Sequence, residues 1–175
     1  KFVNMIYAAH KIVRNIEERS GVSLRDIKRV LTLYKWFRNK IEFVVTLGHK
    51  TFKKGEVHLR ATLCAILVAY GLRLNGRDKE QGELIKQITN LCKDLASLTT
   101  LSQNDVKQTL AKMSDIYLGV LSKQSIRVIP ENIALNRPLK ENFITMLACY
   151  DGKIPLIICG APGTSKTLCT QIFDS

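Results

Sequence analysis

The residues with the clearest chemistry lie in the sequence GAPGTSKT at positions 160–167, which follows the apolar run IPLIIC at 154–159. Gly160 and Gly163 permit backbone torsion angles closed to other residues, so successive N–H groups can converge on an anion. Pro162 stiffens the turn. A buried strand, a glycine-rich turn and a helix, in this order, are the setting that a phosphate-binding loop requires.

Within this loop, Lys166 is placed to reach the β- and γ-phosphates of a nucleotide, and the hydroxyl of Thr167 is placed to bind Mg²⁺. Ser165 stands where the common pattern G-x-x-x-x-G-K-[ST] has its last glycine. The alternative is a plain glycine turn with a solvated lysine, but strand, turn, Lys-Thr pair and helix all agree with nucleotide binding. The predicted nucleotide contacts in this stretch are Gly160, Ala161, Pro162, Gly163, Thr164, Ser165, Lys166, Thr167 and Leu168.

Composition indicates a globular protein. The 175 residues are 46% hydrophobic and 24% charged, with a net charge of +12. The longest apolar stretch, at 61–72, is shorter than the roughly 20 residues that span a bilayer, and a buried helix explains it better. The five cysteines are odd in number and form no C-x-x-C pair, which favours reduced thiols in a cytosolic or nuclear chain; we expect a cytoplasmic location.

Basic residues are concentrated between Arg25 and Arg60, where ten Lys or Arg stand against three acids. Such a patch could attract nucleic acid, anionic lipid or an acidic partner. We favour a solvated helix face, because no aromatic residues are interleaved as stacking platforms for bases.

Apolar periodicity and capping residues predict helices over 2–18, from 23 to 37 or beyond, and over 58–74, 78–93, 102–121 and 136–150. A basic loop is predicted at 48–56 and a connector at 122–135. Residues 1–125 are therefore predicted to be mostly helical. After them, a helix, the strand at 154–159, the loop and a further helix begin an α/β P-loop NTPase domain. We expect the chain to be an incomplete piece of a longer polypeptide.

Two stretches resemble a known family. VSLRDIKR at 22–29 with LYKWF at 33–37 resembles the helical lid of an AAA+ ATPase, in which Arg25 would be the sensor 2 arginine; the alternative is an ordinary salt-bridged arginine beside Asp26. IALNRPLKEN at 133–142 and the stretch from 154 to 168 resemble the phosphate-loop region of the mysterin family of giant AAA+ RING-finger E3 ubiquitin ligases. That family carries the serine before the lysine, and often a basic residue where this chain has Ala161.

The resemblance implies a junction of two AAA+ units: residues 1–47 as the lid of an upstream unit, 48–125 as a helical extension and linker, and 126–175 as the N-terminal part of the next ATPase domain. It implies ATP and Mg²⁺ as cofactors, with Ile133 and Ala134 bordering the adenine unless they only pack under the next helix. It implies neighbouring AAA+ units and the ubiquitin machinery as partners. A midasin-like remodelling ATPase and a helical scaffold with a degenerate loop remain alternatives, and we expect the chain alone not to hydrolyse ATP.

Overall fold

The computed structural model describes residues 2–16, 22–46, 54–74, 78–90, 101–123, 134–160 and 162–174. Seven α-helices and one 3-10 helix lie in these ranges, and no residue in them is in a β-strand. The helices are α1 (Phe2–Ile16), α2 (Leu24–Thr46), α3 (Lys54–Ala69), α4 (Asp78–Asn90), α5 (Gln103–Lys123), α6 (Arg137–Asp151) and α7 (Lys166–Asp174), with the 3-10 turn at Gly71–Leu74. The predicted mostly helical fold is confirmed.

The structure differs from the predicted elements at the end of α2, at the start of α3 and at 154–159. Helix α2 continues without a break to Thr46, through the stretch that the sequence left open. Helix α3 begins at Lys54, so the prediction of a loop was wrong for 54–56, while 47–53 lie outside the described residues. The buried strand predicted at 154–159 is also wrong: in the described chain this segment has neither helix nor strand, and Ile157 is 87% exposed.

The chain divides into two compact units, Lys1–Val106 and Lys107–Ser175. In the first unit, α2 and α3 pack extensively against each other. Helix α3 is apolar around most of its circumference, which is typical of a helix enclosed on all sides. Its buried apolar residues are Val57, Leu59, Ala61, Leu63, Cys64, Ala65, Ile66, Leu67 and Val68. The apolar stretch at 61–72 is therefore explained by a buried helix, as predicted.

Asp26 fixes the start of α2 in the first unit. Its carboxylate accepts from the backbone N–H of Ser23 at 2.8 Å and from Arg29 at 2.8 Å, and it lies 3.6 Å from Arg73 beyond α3. Burial by itself would raise the pKa of this carboxyl group. The hydrogen bond from Ser23 and the two guanidinium groups together outweigh burial, so the pKa of Asp26 is lowered. One buried carboxylate thus caps α2 and ties it to the 3-10 turn.

The second unit is organised around α6 and α7, which pack against each other. Helix α6 begins where predicted: the side chain of Asn136 accepts from the N–H of Leu139 at 3.0 Å, and Pro138 lies in the first turn. The core consists of apolar residues from α5, α6 and α7, namely Leu118, Leu139, Phe143, Cys169 and Ile172. This packing fixes α7, and with it the loop that precedes α7.

Candidate phosphate-binding loop

The backbone of the loop turns sharply just before α7. Gly163 has a φ of +80° and Ser165 a φ of +59°, both in the left-handed region. A Cβ built on Gly163 meets nothing within 4 Å, so this glycine is needed for its torsion angle and not for space. Helix α7 begins at Lys166, and the N–H of Cys169 bonds to the carbonyl of Ser165 at 2.9 Å. A left-handed residue followed by helical ones forms an anion-binding concavity of N–H groups.

The side chain of Lys166 folds back over this turn. Its Nζ donates to the carbonyl oxygen of Gly160 at 2.8 Å and to the hydroxyl of Thr164 at 3.0 Å. The ammonium group thereby links the first residue of the loop to the first residue of α7. The positive charge lies beside the turn that precedes α7, near the positive end of the helix dipole. Both features favour an anion at this position.

Helix α6 holds the other side of the loop. The side-chain amide of Asn142 donates to the carbonyl of Thr164 at 3.1 Å. The amide nitrogen of Asn136 lies 3.4 Å from the hydroxyl of Ser165, while its oxygen caps α6. Two amide side chains, one from the N-cap of α6 and one from within it, therefore contact two consecutive residues of the loop.

Buried contacts anchor α7 to α6 behind the loop. Cys169 is fully buried, with its Sγ 3.2 Å from the Sδ of Met146. Burial raises the pKa of this thiol to about 12, so it remains protonated and apolar in character. Leu168 packs against the same core. The helix N-terminus is therefore presented by a rigid support.

An open pocket of about 560 Å³ adjoins Lys166 and Thr167. Most of its wall is apolar, and it is bounded by the end of α6, the segment 154–158 and one face of α7. Its other lining residues are Met146, Cys149, Tyr150, Ile154, Leu156, Ile158, Thr170 and Phe173. An apolar surface beside a charged loop is suited to being covered by further protein.

The structure brings together several of the predicted contacts. Lys166 donates hydrogen bonds to both Gly160 and Thr164. Gly163 and Ser165 supply the two left-handed torsion angles. Pro162 and Thr167 are exposed at the turn and at the start of α7.

Other predicted residues fall elsewhere. Ala134 is exposed, and its carbonyl accepts from the N–H of Asn136 at 2.8 Å. Ile133 and Ala161 lie outside the described residues. Arg25 lies exposed in the first turn of α2, in the first unit, while its neighbour Asp26 is paired with Arg29 and Arg73.

Sequence reasoning missed Asn142 and the second contact of Asn136. The available signal was the position of Asn142 next to Phe143 and three residues after Leu139, both of which are buried. A short amide at the edge of an apolar helix face needs a hydrogen-bond partner. The sequence alone does not show that the partner is the loop 22 residues later.

Comparisons with known proteins agree with the geometry. The family model described as the RNF213 AAA domain matches residues 132–175. The E3 ubiquitin-protein ligase rnf213-beta of Danio rerio is 28% identical over 172 residues, or 97% of this chain. The E3 ubiquitin-protein ligases RNF213 of Homo sapiens and Mus musculus are 24% and 27% identical over 96% and 94% of this chain. No solved structure matches.

The region from α6 to α7 is thus an AAA-type segment. The chain as a whole is RNF213-like, and the resemblance to the mysterin family, to which RNF213 belongs, is confirmed. The chain spans about 3% of the length of the curated relatives that it matches. In the described part of the chain, no helix is long and apolar enough to cross a membrane.

Proposed function

We propose that residues 160–168 bind the phosphates of ATP–Mg²⁺ as a variant Walker A loop, in an AAA-type ATPase domain that begins near residue 126. The observation that carries the proposal is the position of Lys166. Its ammonium group lies at the N-terminus of α7 and over a turn with two left-handed residues. A cation, a helix N-terminus and converging N–H groups at one place are what a triphosphate requires.

The residues present fit this ligand. The two oxygens that now accept from Lys166, those of Gly160 and Thr164, are neutral, so a phosphate oxygen would be the stronger partner for the ammonium group. The hydroxyl of Thr167, exposed one residue further on, is a suitable Mg²⁺ ligand. Bound Mg²⁺ would neutralise phosphate charge.

Ser165 is compatible with the loop although it replaces glycine. It adopts the left-handed φ of +59° that a glycine would take more readily, and its hydroxyl lies 3.4 Å from the amide of Asn136. The strain of a left-handed non-glycine residue, about 1 kcal/mol, is partly offset by this polar contact. The missing glycine therefore does not argue for a decayed site.

Residues 1–47 are proposed to form the helical lid of an upstream AAA+ unit, with Arg25 as its sensor 2 arginine, and residues 48–125 to form a helical extension and linker. Arg25 is exposed at the start of α2, so its guanidinium group is accessible to a nucleotide of that unit.

The parent protein is proposed to couple ATP hydrolysis to conformational change and to act with the ubiquitin machinery as an E3 ligase in the cytoplasm. The name of the relatives supports the ligase part. Ubiquitin transfer by the purified full-length protein tests it, and no transfer with any conjugating enzyme would refute it.

MgATP binding tests the central proposal. In the full-length protein that contains this chain, Lys166→Ala should weaken binding at this site 10- to 100-fold, because a charge-assisted hydrogen bond is worth about 1.5–3 kcal/mol. Lys112→Ala removes the same charge from an exposed position on α5 and serves as the control. Calorimetric titration of the two variants gives the comparison. Equal affinities would refute the phosphate loop and would leave the helical scaffold as the better interpretation.

A further inference from the structure

The peptide group between Thr164 and Ser165 is oriented by a hydrogen bond from a side chain outside the loop. Its carbonyl oxygen accepts from the side-chain amide of Asn142 on α6 at 3.1 Å, so the oxygen points toward that helix. In a planar trans peptide the N–H lies on the opposite side from the carbonyl. The N–H of Ser165 is therefore directed away from α6.

Ser165 is also the left-handed residue immediately before α7. In a left-handed residue followed by helical ones, successive N–H groups converge on one concavity. The direction of the Ser165 N–H decides whether it joins the N–H groups of the first turn of α7. A rotation of this one peptide group would instead place the negative end of a carbonyl dipole there.

We propose, resting on the proposed function, that Asn142 is a positioning residue for phosphate recognition: its amide fixes the Thr164–Ser165 peptide group with the Ser165 N–H facing the bound phosphate. The residue acts through Thr164 and need not touch the nucleotide. Asn136, at the start of the same helix, holds the Ser165 side chain 3.4 Å away and supports the same orientation.

Helix α6 gives this contact its rigidity. On either side of Asn142 in the helix, Leu139 and Phe143 are buried in the core that also receives Cys169 and Ile172 of α7. The donor and the helix that presents the N–H groups are thus fixed to one core. A positioning contact needs such support to hold a peptide group to within a few tenths of an ångström.

Asn142→Asp in the full-length protein tests the proposal, since it keeps the shape and replaces the donor by a carboxylate oxygen facing the Thr164 carbonyl. MgATP affinity at this site should fall roughly tenfold, which corresponds to the loss of one well-formed hydrogen bond. Asn104→Asp makes the same change at an exposed position on α5 and should leave the affinity within about twofold of wild type.

Asn142→Leu separates loss of the donor from repulsion by an added charge, because it removes the amide without placing a carboxylate near the phosphates. Its MgATP affinity should also fall. Wild-type affinity in Asn142→Leu would mean that the loss in Asn142→Asp comes from charge alone, and would overturn the proposal.

The remaining outcomes are distinguishable. If Lys166→Ala leaves MgATP binding unchanged, the proposed function fails and this inference fails with it. If Lys166→Ala weakens binding but Asn142→Asp behaves like Asn104→Asp, only the role of Asn142 is refuted. Should Asn142→Asp lower the unfolding midpoint by more than ~5 °C, Asn142→Leu takes its place, and an affinity within about twofold of wild type would then refute the proposal.

Discussion

Replacing Asp26 by Asn tests how the start of α2 is held. The substitution keeps an oxygen to accept from Ser23 and removes the charge that pairs with Arg29 and Arg73. Asp26 is 3% exposed, but the two arginine side chains are 37% and 35% exposed, so solvent weakens each pair. We expect a loss of about 2 kcal/mol in the free energy of unfolding of the first unit, at the low end for charged hydrogen bonds.

A second capping box in the same unit provides the control. Asp105 accepts from the N–H of Ser102 at 2.8 Å and from its hydroxyl at 2.6 Å, at the exposed start of α5. Asp105→Asn removes the same charge near a helix N-terminus without a buried carboxylate, and should cost about 0.5 kcal/mol. The difference between the two substitutions measures the arginine contacts.

Urea unfolding monitored by the fluorescence of Trp36 is the assay, because this is the single tryptophan of the chain and it is buried in the first unit. The folded-state pKa of Asp26 is lowered, so its contribution is present above its unfolded pKa of about 3.9 and is lost as pH falls through the folded value. The gap between wild type and Asp26→Asn should therefore close in acid. Equal effects of the two substitutions at neutral pH, or a gap that does not narrow as the pH is lowered below about 3.9, would refute the reasoning.

Two further substitutions test the loop and the first unit. Ser165→Gly should leave the free energy of unfolding within about 0.5 kcal/mol of wild type, because relief of the left-handed torsion is offset by chain entropy and by the lost contact with Asn136. Ser165→Val should lower the free energy of unfolding by more than about 2 kcal/mol, measured by thermal unfolding. Equal unfolding midpoints for Ser165→Val and wild type would contradict the assigned torsion angle. Arg25→Ala in the full-length protein should lower ATP turnover about tenfold or more, whereas Lys35→Ala, at another exposed position on α2, should not. Unaltered turnover in Arg25→Ala would remove Arg25 from the proposed site.

The helical part of the fold could be predicted from local signals. The start of α6 is fixed by Asn136 and Pro138 within a few residues, and the start of α2 by Ser23 and Asp26. Such caps act over one turn, so a single sequence contains them completely. The length of α2 beyond Phe37 could not be predicted, because it depends on tertiary packing: α2 packs against α3, and Ile41 in the second half of α2 is buried.

The strand predicted at 154–159 shows where prediction from local residues fails. Its residue types favour a strand, but a strand exists only when a partner accepts its hydrogen bonds. In the described residues no other strand pairs with 154–158, and the segment lines an open apolar pocket. The residue pattern therefore indicates a segment that can form a strand only beside neighbouring strands, whereas a helix makes its backbone hydrogen bonds within itself.

The phosphate-binding loop depends on local residues for its torsion angles and on a distant residue for the direction of one peptide group. Its torsion angles are local and follow from Gly163 and from the tolerance of Ser165, so the turn could be predicted from the sequence pattern. The direction of the Thr164–Ser165 peptide group is not local, because its carbonyl accepts from Asn142, a residue of the preceding helix that no loop pattern contains. The proposed role of Asn142 implies that a sequence can retain glycine, lysine and threonine and still lose phosphate binding when that amide is changed. It also implies that the contact between Asn142 and Thr164, more than the missing glycine, distinguishes related loops that bind phosphate from those that do not.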